Sequence, residues 1–143
     1  MNVLQSPSAF AIEPRPKQKH RQPEFELVCA LRGLLDRAGN RKVFWSAIEN
    51  GERRPKEARE RCARKGVRNG LPDLFFIASG LPIGVELKAA ANKALGIKAG
   101  VQSDAQKAVQ EAWEAAGGLY QCVWGWDEAV AFFQRWGLIK GVS

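Results

Sequence analysis

From Ile83 to Lys88 the chain alternates strictly: Ile83, Val85 and Leu87 are apolar, whereas Gly84, Glu86 and Lys88 are small or charged. A two-residue period belongs to a β-strand, in which successive side chains point to opposite faces. One face therefore anchors in a core, and the other offers an acid and an amine side by side. Upstream, Asp73 to Ala78 is a second short apolar strand, and Ser79-Gly80-Leu81-Pro82 between the two has the length and composition of a hairpin connection. Pairing Asp73 to Ala78 with Ile83 to Ala89 brings Asp73, at the start of one strand, beside Glu86 near the end of the other. Two carboxylates and an ammonium then converge.

That trio suits phosphodiester hydrolysis. Carboxylate oxygens hold Mg²⁺ or Mn²⁺ while leaving positions for water and a phosphate oxygen. Lys88 can orient or deprotonate the water and offset developing negative charge. An exposed hairpin bearing ordinary surface charges is the competing reading, because an acid followed by a later ExK is a short pattern that chance also produces.

The flanking segments set the topology. Pro23 suits the first turn of a helix running from Glu24 to Ala38, with Leu27, Val28, Leu31, Leu34 and Leu35 on one stripe and Gly39 as a stop. Lys42 to Ile48 reads as a strand ending in an Asn50-Gly51 turn. Pro55 to Lys65 is a charged helix, closed by Gly66 and Asn69-Gly70 and expected over the sheet edge. The loop Asn92 to Gln102, with Lys93 and Lys98, reads as mobile and basic. Ser103 and Gln106 form a capping box that opens a helix to Ala116, ended by Gly117-Gly118. A strand from Leu119 to Trp124 and a helix from Asp127 to Trp136 follow. The class is α/β, a mixed sheet flanked by helices with core order α-β-β-β-α-β. Strands joined across the Ser103 to Ala116 helix should lie parallel.

With 143 residues, 45% of them hydrophobic, the chain suffices for one core and not for two ordinary domains. We expect one domain over 22–139, a short C-terminal tail over 140–143, and a flexible basic tail over 1–21. That N-terminal tail holds Pro7, Pro14, Pro16, the run RPKQKHR from Arg15 to Arg21, and the lone histidine His20. Lys plus Arg number 22 against 15 Asp plus Glu, a formal charge of +7, which attracts polyanions over a screening length of about 8 Å in physiological salt or simply solubilises the surface. Cys29, Cys62 and Cys122 are odd in number and form no CxxC pair, which speaks against a disulfide framework or a zinc site. No run approaches the ~20 apolar residues of a membrane span, so the expected setting is cytoplasmic.

Two helix residues are candidates for the site. At about 100° per residue, Glu24 falls near the centre of the first helix's apolar stripe and faces inward, while Glu26 points about 200° away. A buried-face carboxylate needs a cation or a donor, although an acid in a first turn also simply favours the helix dipole. Gln106 stands at the edge of its helix's apolar face, where its amide can reach over the sheet; the capping box explains it equally well. Candidate phosphate contacts are Arg53, Arg54, Lys56, Lys65, Arg68, Lys93 and Lys98, with Arg59, Arg61 and Arg64 also basic on the same helix. Interleaved Glu52, Glu57 and Glu60 allow a solvated, salt-bridged helix instead. Most aromatic residues sit at core spacings; Trp126, near a turn, is the candidate for base stacking.

Taken in order, Pro23-Glu24, the Asn50 to Arg53 turn, Gly66 to Leu74 with Asp73, Gly84-Val-Glu86-Leu-Lys88, Ser103 to Gln106 and the strand after Gly117-Gly118 resemble the VRR-NUC domain of the PD-(D/E)xK nuclease superfamily over residues ~22–139. The resemblance implies a restriction-endonuclease-like fold and a divalent-metal-dependent endonuclease. It implies Asp73, Glu86 and the Leu87 backbone carbonyl as ligands of Mg²⁺ or Mn²⁺, Glu24 as the acid completing the site, Lys88 as the catalytic lysine, and Gln106 as the glutamine of the following helix. Small stand-alone members, found in phages and bacteria, act as homodimers on branched DNA such as four-way (Holliday) junctions, whereas larger relatives cut flaps. Alternatives are a non-catalytic DNA-binding module of this fold or a nuclease acting on flaps or RNA. One departure is the long connection from Lys88 to Ser103.

Overall fold

The computed structural model describes residues 22–49 and 55–141. The basic tail 1–21 with His20, the Asn50-Gly51 turn, Arg53 and Arg54 lie outside the described residues. The elements run α1 (Pro23–Ala38), β1 (Val43–Ala47), α2 (Lys56–Arg64), β2 (Leu74–Ala78), β3 (Leu81–Lys88), α3 (Asp104–Ala115), β4 (Leu119–Trp124) and α4 (Gly125–Arg135). One sheet has the order β1-β2-β3-β4. The first two pairings are antiparallel, and β3 and β4, joined across α3, are parallel as the crossover requires.

The hairpin is tighter than expected. Leu81 and Pro82 belong to β3, and only Ser79 and Gly80 turn the chain, with φ of 49° and 79°. Two consecutive positive φ values give the primed two-residue turn whose twist matches that of its strands. The register Ala78↔Leu81 through Leu74↔Val85 follows directly from this turn.

The strand alternation splits the sheet into two unlike faces. On one, Leu74, Phe76, Ile83, Val85, Leu87 and Val123 form a core with Leu31, Leu34 and Leu35 of α1 and Ala129, Phe132 and Phe133 of α4. The ring of Phe76 meets that of Phe133 edge-on at 5.3 Å. On the other face, α3 covers Gly84 and Glu86, with Trp113 set edge-on to Phe75 and Tyr120. The end of the chain is held against α1 by the Gly39↔Ile139 bridge and by the Lys140 amide, which donates to Ala38 O at 2.7 Å.

Several expectations need correction. α2 buries none of its residues and makes no extensive contact with a strand, so it is not a cover for the sheet edge. The loop read as mobile is closed by its own backbone: Asn92 and Ile97 exchange amide hydrogen bonds of 2.8 and 2.9 Å around a short 3-10 turn at Lys93–Leu95. Its return strand is fixed where the Gly100 amide donates to Ala89 O at 2.9 Å. Among the aromatic residues, Phe44 is exposed on the edge strand, and Trp126 and Trp136 are partly exposed.

Candidate active site

Asp73 immediately precedes β2, and one step beyond the Leu74↔Val85 pair it lies across from Glu86. Its Oδ2 accepts a hydrogen bond of 2.7 Å from the Leu87 amide. Its own carbonyl accepts from the Ile48 amide at 2.8 Å, so the Asp73 side chain is tied to β3 and its backbone to the residue that follows β1. Such a carboxylate has little freedom to swing away, which is what preorganisation of a ligand requires.

Glu86 and Lys88 project from β3 onto the α3 side and are nearly sealed from solvent, at 1% and 6% exposure. Three donors surround the Glu86 carboxylate. Gln106 Nε2 donates to Oε1 at 2.5 Å, Tyr120 OH donates to Oε2 at 3.2 Å, and Lys88 Nζ stands 3.6 Å from Oε1. A buried carboxylate without such partners would cost several kcal/mol.

The two readings of Gln106 turn out to be compatible. Its Oε1 accepts from the Ser103 amide at 2.8 Å while the Ser103 hydroxyl accepts from the Gln106 amide at 3.2 Å, completing the capping box. The remaining end of the same side-chain amide reaches Glu86. The start of α3 and the site are therefore one hydrogen-bonded unit. Gly70 lets the loop press against this turn: with φ of 82°, a Cβ there would lie 2.5 Å from the Ala105 carbonyl carbon.

Burial and proximity of like charge raise both acids. Desolvation lifts Glu86 first, and the neighbouring Asp73 carboxylate second; against Lys88 and the Tyr120 hydroxyl, its pKa is pushed up to about 8. Asp73 is raised chiefly by burial, with the Leu87 amide pulling the other way and Glu24 adding to the rise. Both shifts have the same sign, because each carboxyl is desolvated and faces another carboxylate's charge. The Tyr120 hydroxyl and the Cys122 thiol, opposite Gly84 and Glu86 on β4, are raised by burial and then by Glu86, Cys122 to about 11.

Glu24 departs from expectation, since its position on α1 is exposed rather than turned into the core. Its carboxylate nonetheless faces the site across the returning loop. A Cβ on Gly100 would lie 2.8 Å from Glu24 Oε1 and 3.1 Å from Lys88 Cδ. Trp124 Nε1 donates to Gly100 O at 2.8 Å and holds that backbone against the lysine stem. The long connection between Lys88 and Ser103 therefore forms one wall of the site.

Sequence reasoning did not single out Tyr120, Gly100 or Trp124. Tyr120 could have been flagged by setting the strand after Gly117-Gly118 parallel to Gly84-Val-Glu86, since its period-two alternation puts Tyr120, Cys122 and Trp124 on one face. Of the basic candidates, Lys56 and Arg68 line a surface cleft, with Lys56 Nζ 3.9 Å from Glu60 Oε1. Lys65, Lys93 and Lys98 are exposed and lie outside that cleft's lining.

Does this arrangement fit a divalent cation? Adjacent carboxylates, Glu86 buried and Asp73 half-buried, are the hard oxygen donors that Mg²⁺ and Mn²⁺ prefer. Among the described residues no group of three or more His, Cys, Asp or Glu side chains is placed to hold a metal ion. Mg²⁺ does not require one, because it is commonly held by one or two carboxylates with waters or phosphate completing its shell. Asp73 and Glu86 are the residues that would hold it.

Fold and site define a class: an α/β domain in which a hairpin and its parallel neighbour present two acids and a lysine beneath a capping helix. No family model matches the sequence, and no curated protein matches it. Among solved structures, one described as a VRR_NUC domain protein is similar with a TM-score of 0.58 and 19% identity, over 82% of this chain and 91% of that chain. At that identity the likeness is one of fold, and the chain has the VRR-NUC fold. No helix among the described residues is long and apolar enough to cross a membrane.

Proposed function

We propose that this chain is a nuclease of the VRR-NUC type, a divalent-metal-dependent endonuclease cutting branched DNA such as four-way junctions and working as a homodimer. The observation that carries the reading is the convergence of Asp73, Glu86 and Lys88, with Gln106 and Tyr120 donating to the Glu86 carboxylate. The VRR-NUC fold and the excess of 22 basic over 15 acidic side chains support it. Mg²⁺ or Mn²⁺ bound at Asp73 and Glu86 would supply Lewis acidity and an activated water. Asp73, tied to the Leu87 amide, supplies a ligand in a fixed orientation; Glu24 and the Leu87 carbonyl are the further ligands proposed. Gln106 and Tyr120 hold the plane of Glu86. Lys88, its stem lodged against Gly100, directs its ammonium toward Glu86 and is positioned to orient the attacking water and offset charge on the phosphate.

The test is cleavage of labelled junction, flap, duplex and single-stranded DNA, and of RNA, in Mg²⁺, Mn²⁺ or EDTA. Cuts that require metal and vanish in Asp73→Ala and Lys88→Ala, with DNA binding retained, are the expected result. Binding without cutting under every metal condition would reduce the chain to a DNA-binding module, and a strict RNA preference would move the substrate class. Light scattering at assay concentration should give the mass of a dimer.

A further inference from the structure

We infer that the surface between α2 and α3 is a binding site for an unpaired nucleotide, with its phosphate held at the α2 end and its base on the α3 side. The inference rests on the nuclease reading and adds the substrate feature that the protein would recognise. Two adjoining cavities carry it. The first, about 630 Å³, lies between α2 and the first turn of α3 and includes Lys56, Arg59, Arg68 and Ser103 in its lining. The second, about 570 Å³, shares Arg68, Asn69 and Ala105 with the first and continues along α3 over Leu71, Ala108, Val109 and Trp113.

The chemistry changes along this path. Lys56 is occupied by Glu60, whereas no carboxylate among the described residues pairs with Arg59 or Arg68. Guanidinium groups offer forked donors that match phosphate oxygens. The positive end of the α3 dipole adds to the same field. Past Arg68 the lining becomes mainly apolar and contains no acid. A cationic mouth leading to an apolar trough complements a nucleotide, whose charge and flat apolar base are joined by a short sugar. A paired base within a duplex cannot enter such a trough, because its faces are stacked and its edge is hydrogen-bonded.

The trough is also coupled to the site. Leu71 lies two residues before Asp73, and Ser103, on the cleft wall, donates its amide to Gln106, whose amide in turn donates to Glu86. Unpaired nucleotides are exposed at flaps, bulges and single-strand gaps, so a site of this kind would favour branched DNA that carries one of them.

The test measures binding in EDTA, so that cutting plays no part, by anisotropy of a labelled duplex, the same duplex with one unpaired nucleotide, and a single strand of DNA or of RNA. The intact protein should bind the duplex with the unpaired nucleotide about tenfold more tightly than the perfect duplex, the scale of one base stacking on an apolar or aromatic surface. Ala108→Gln, a neutral change at an exposed helix position, should remove that preference while leaving perfect-duplex affinity within about twofold. Arg59→Ala with Arg68→Ala should weaken binding to all the nucleic acids and flatten its salt dependence. Equal affinity for the paired and unpaired duplexes, or a preference that survives Ala108→Gln, would overturn the inference. Metal-dependent cleavage by the intact protein would still stand in that event. Loss of cleavage with the preference retained would instead remove the nuclease reading.

Discussion

The two faces of β3 are buried to nearly the same degree, yet they are buried by opposite means. Ile83, Val85 and Leu87 meet the leucines of α1 and the aromatic residues of α4, and water is excluded because nothing there binds it. Gly84, Glu86 and Lys88 meet α3 and β4, where burial is tolerable only because the polar atoms find partners in Gln106, Tyr120 and one another. The apolar face therefore carries stability and tolerates exchange of like for like. The polar face holds the groups proposed for chemistry and carries the electrostatic cost of burying them.

That contrast can be broken most forcefully at the lysine. Lys88→Ala should lower cleavage by about a thousandfold or more, within the range of a lost acid–base group, while thermal unfolding shows a folded protein. If the fold collapses instead, Lys88 is a structural partner of Glu86 first. On the opposite face, Phe76→Ala should destabilise by about 3–5 kcal/mol in urea titration and leave the activity of each folded molecule unchanged.

The pH dependence sharpens the same comparison. Because Glu86 has a raised pKa in the folded state, the fold binds more protons than the unfolded chain between its usual value of 4.5 and about 8. Stability of the metal-free protein must fall as pH rises through that window, on the order of a few kcal/mol, and Glu86→Gln should flatten the slope. Saturating Mg²⁺ should flatten it too, with metal affinity weakening as pH drops and the proton competes. The smallest effect separates the two roles of the α3 terminus: Ser103→Ala should cost about 1 kcal/mol of stability with activity nearly intact. Gln106→Ala should cost a similar amount and slow cleavage as well, since it also leaves Glu86 Oε1 without its amide donor.

The hairpin, the parallel crossover and the capping box were legible because each rests on local chemistry: an alternation of period two, a helix between two strands, a serine three residues before a glutamine. The positions of Asp73 and Glu86 followed once the hairpin was drawn. Glu24 faces the site but is exposed where burial was expected, because a helical stripe tells which way a side chain points and not how far the core extends along the axis. At the α1 N-terminus the stripe runs past the packed core, and Glu24 is left on the rim. The connection from Asn92 to Gln102 looked loose because its lysines and glycines carry no pattern, and only the bridge between Asn92 and Ile97 shows it closed.

By itself the sequence determined the strand faces, the residue types available for chemistry and the order in which the elements follow. Tertiary structure alone decided that Tyr120 meets Glu86, that Gly100 lies against Lys88, and that Gln106 serves its helix and the site together. Those contacts join residues on elements separated by helices and loops. Their register depends on how α3 seats on the sheet, a packing event set by surfaces distant along the chain that no local window of residues contains.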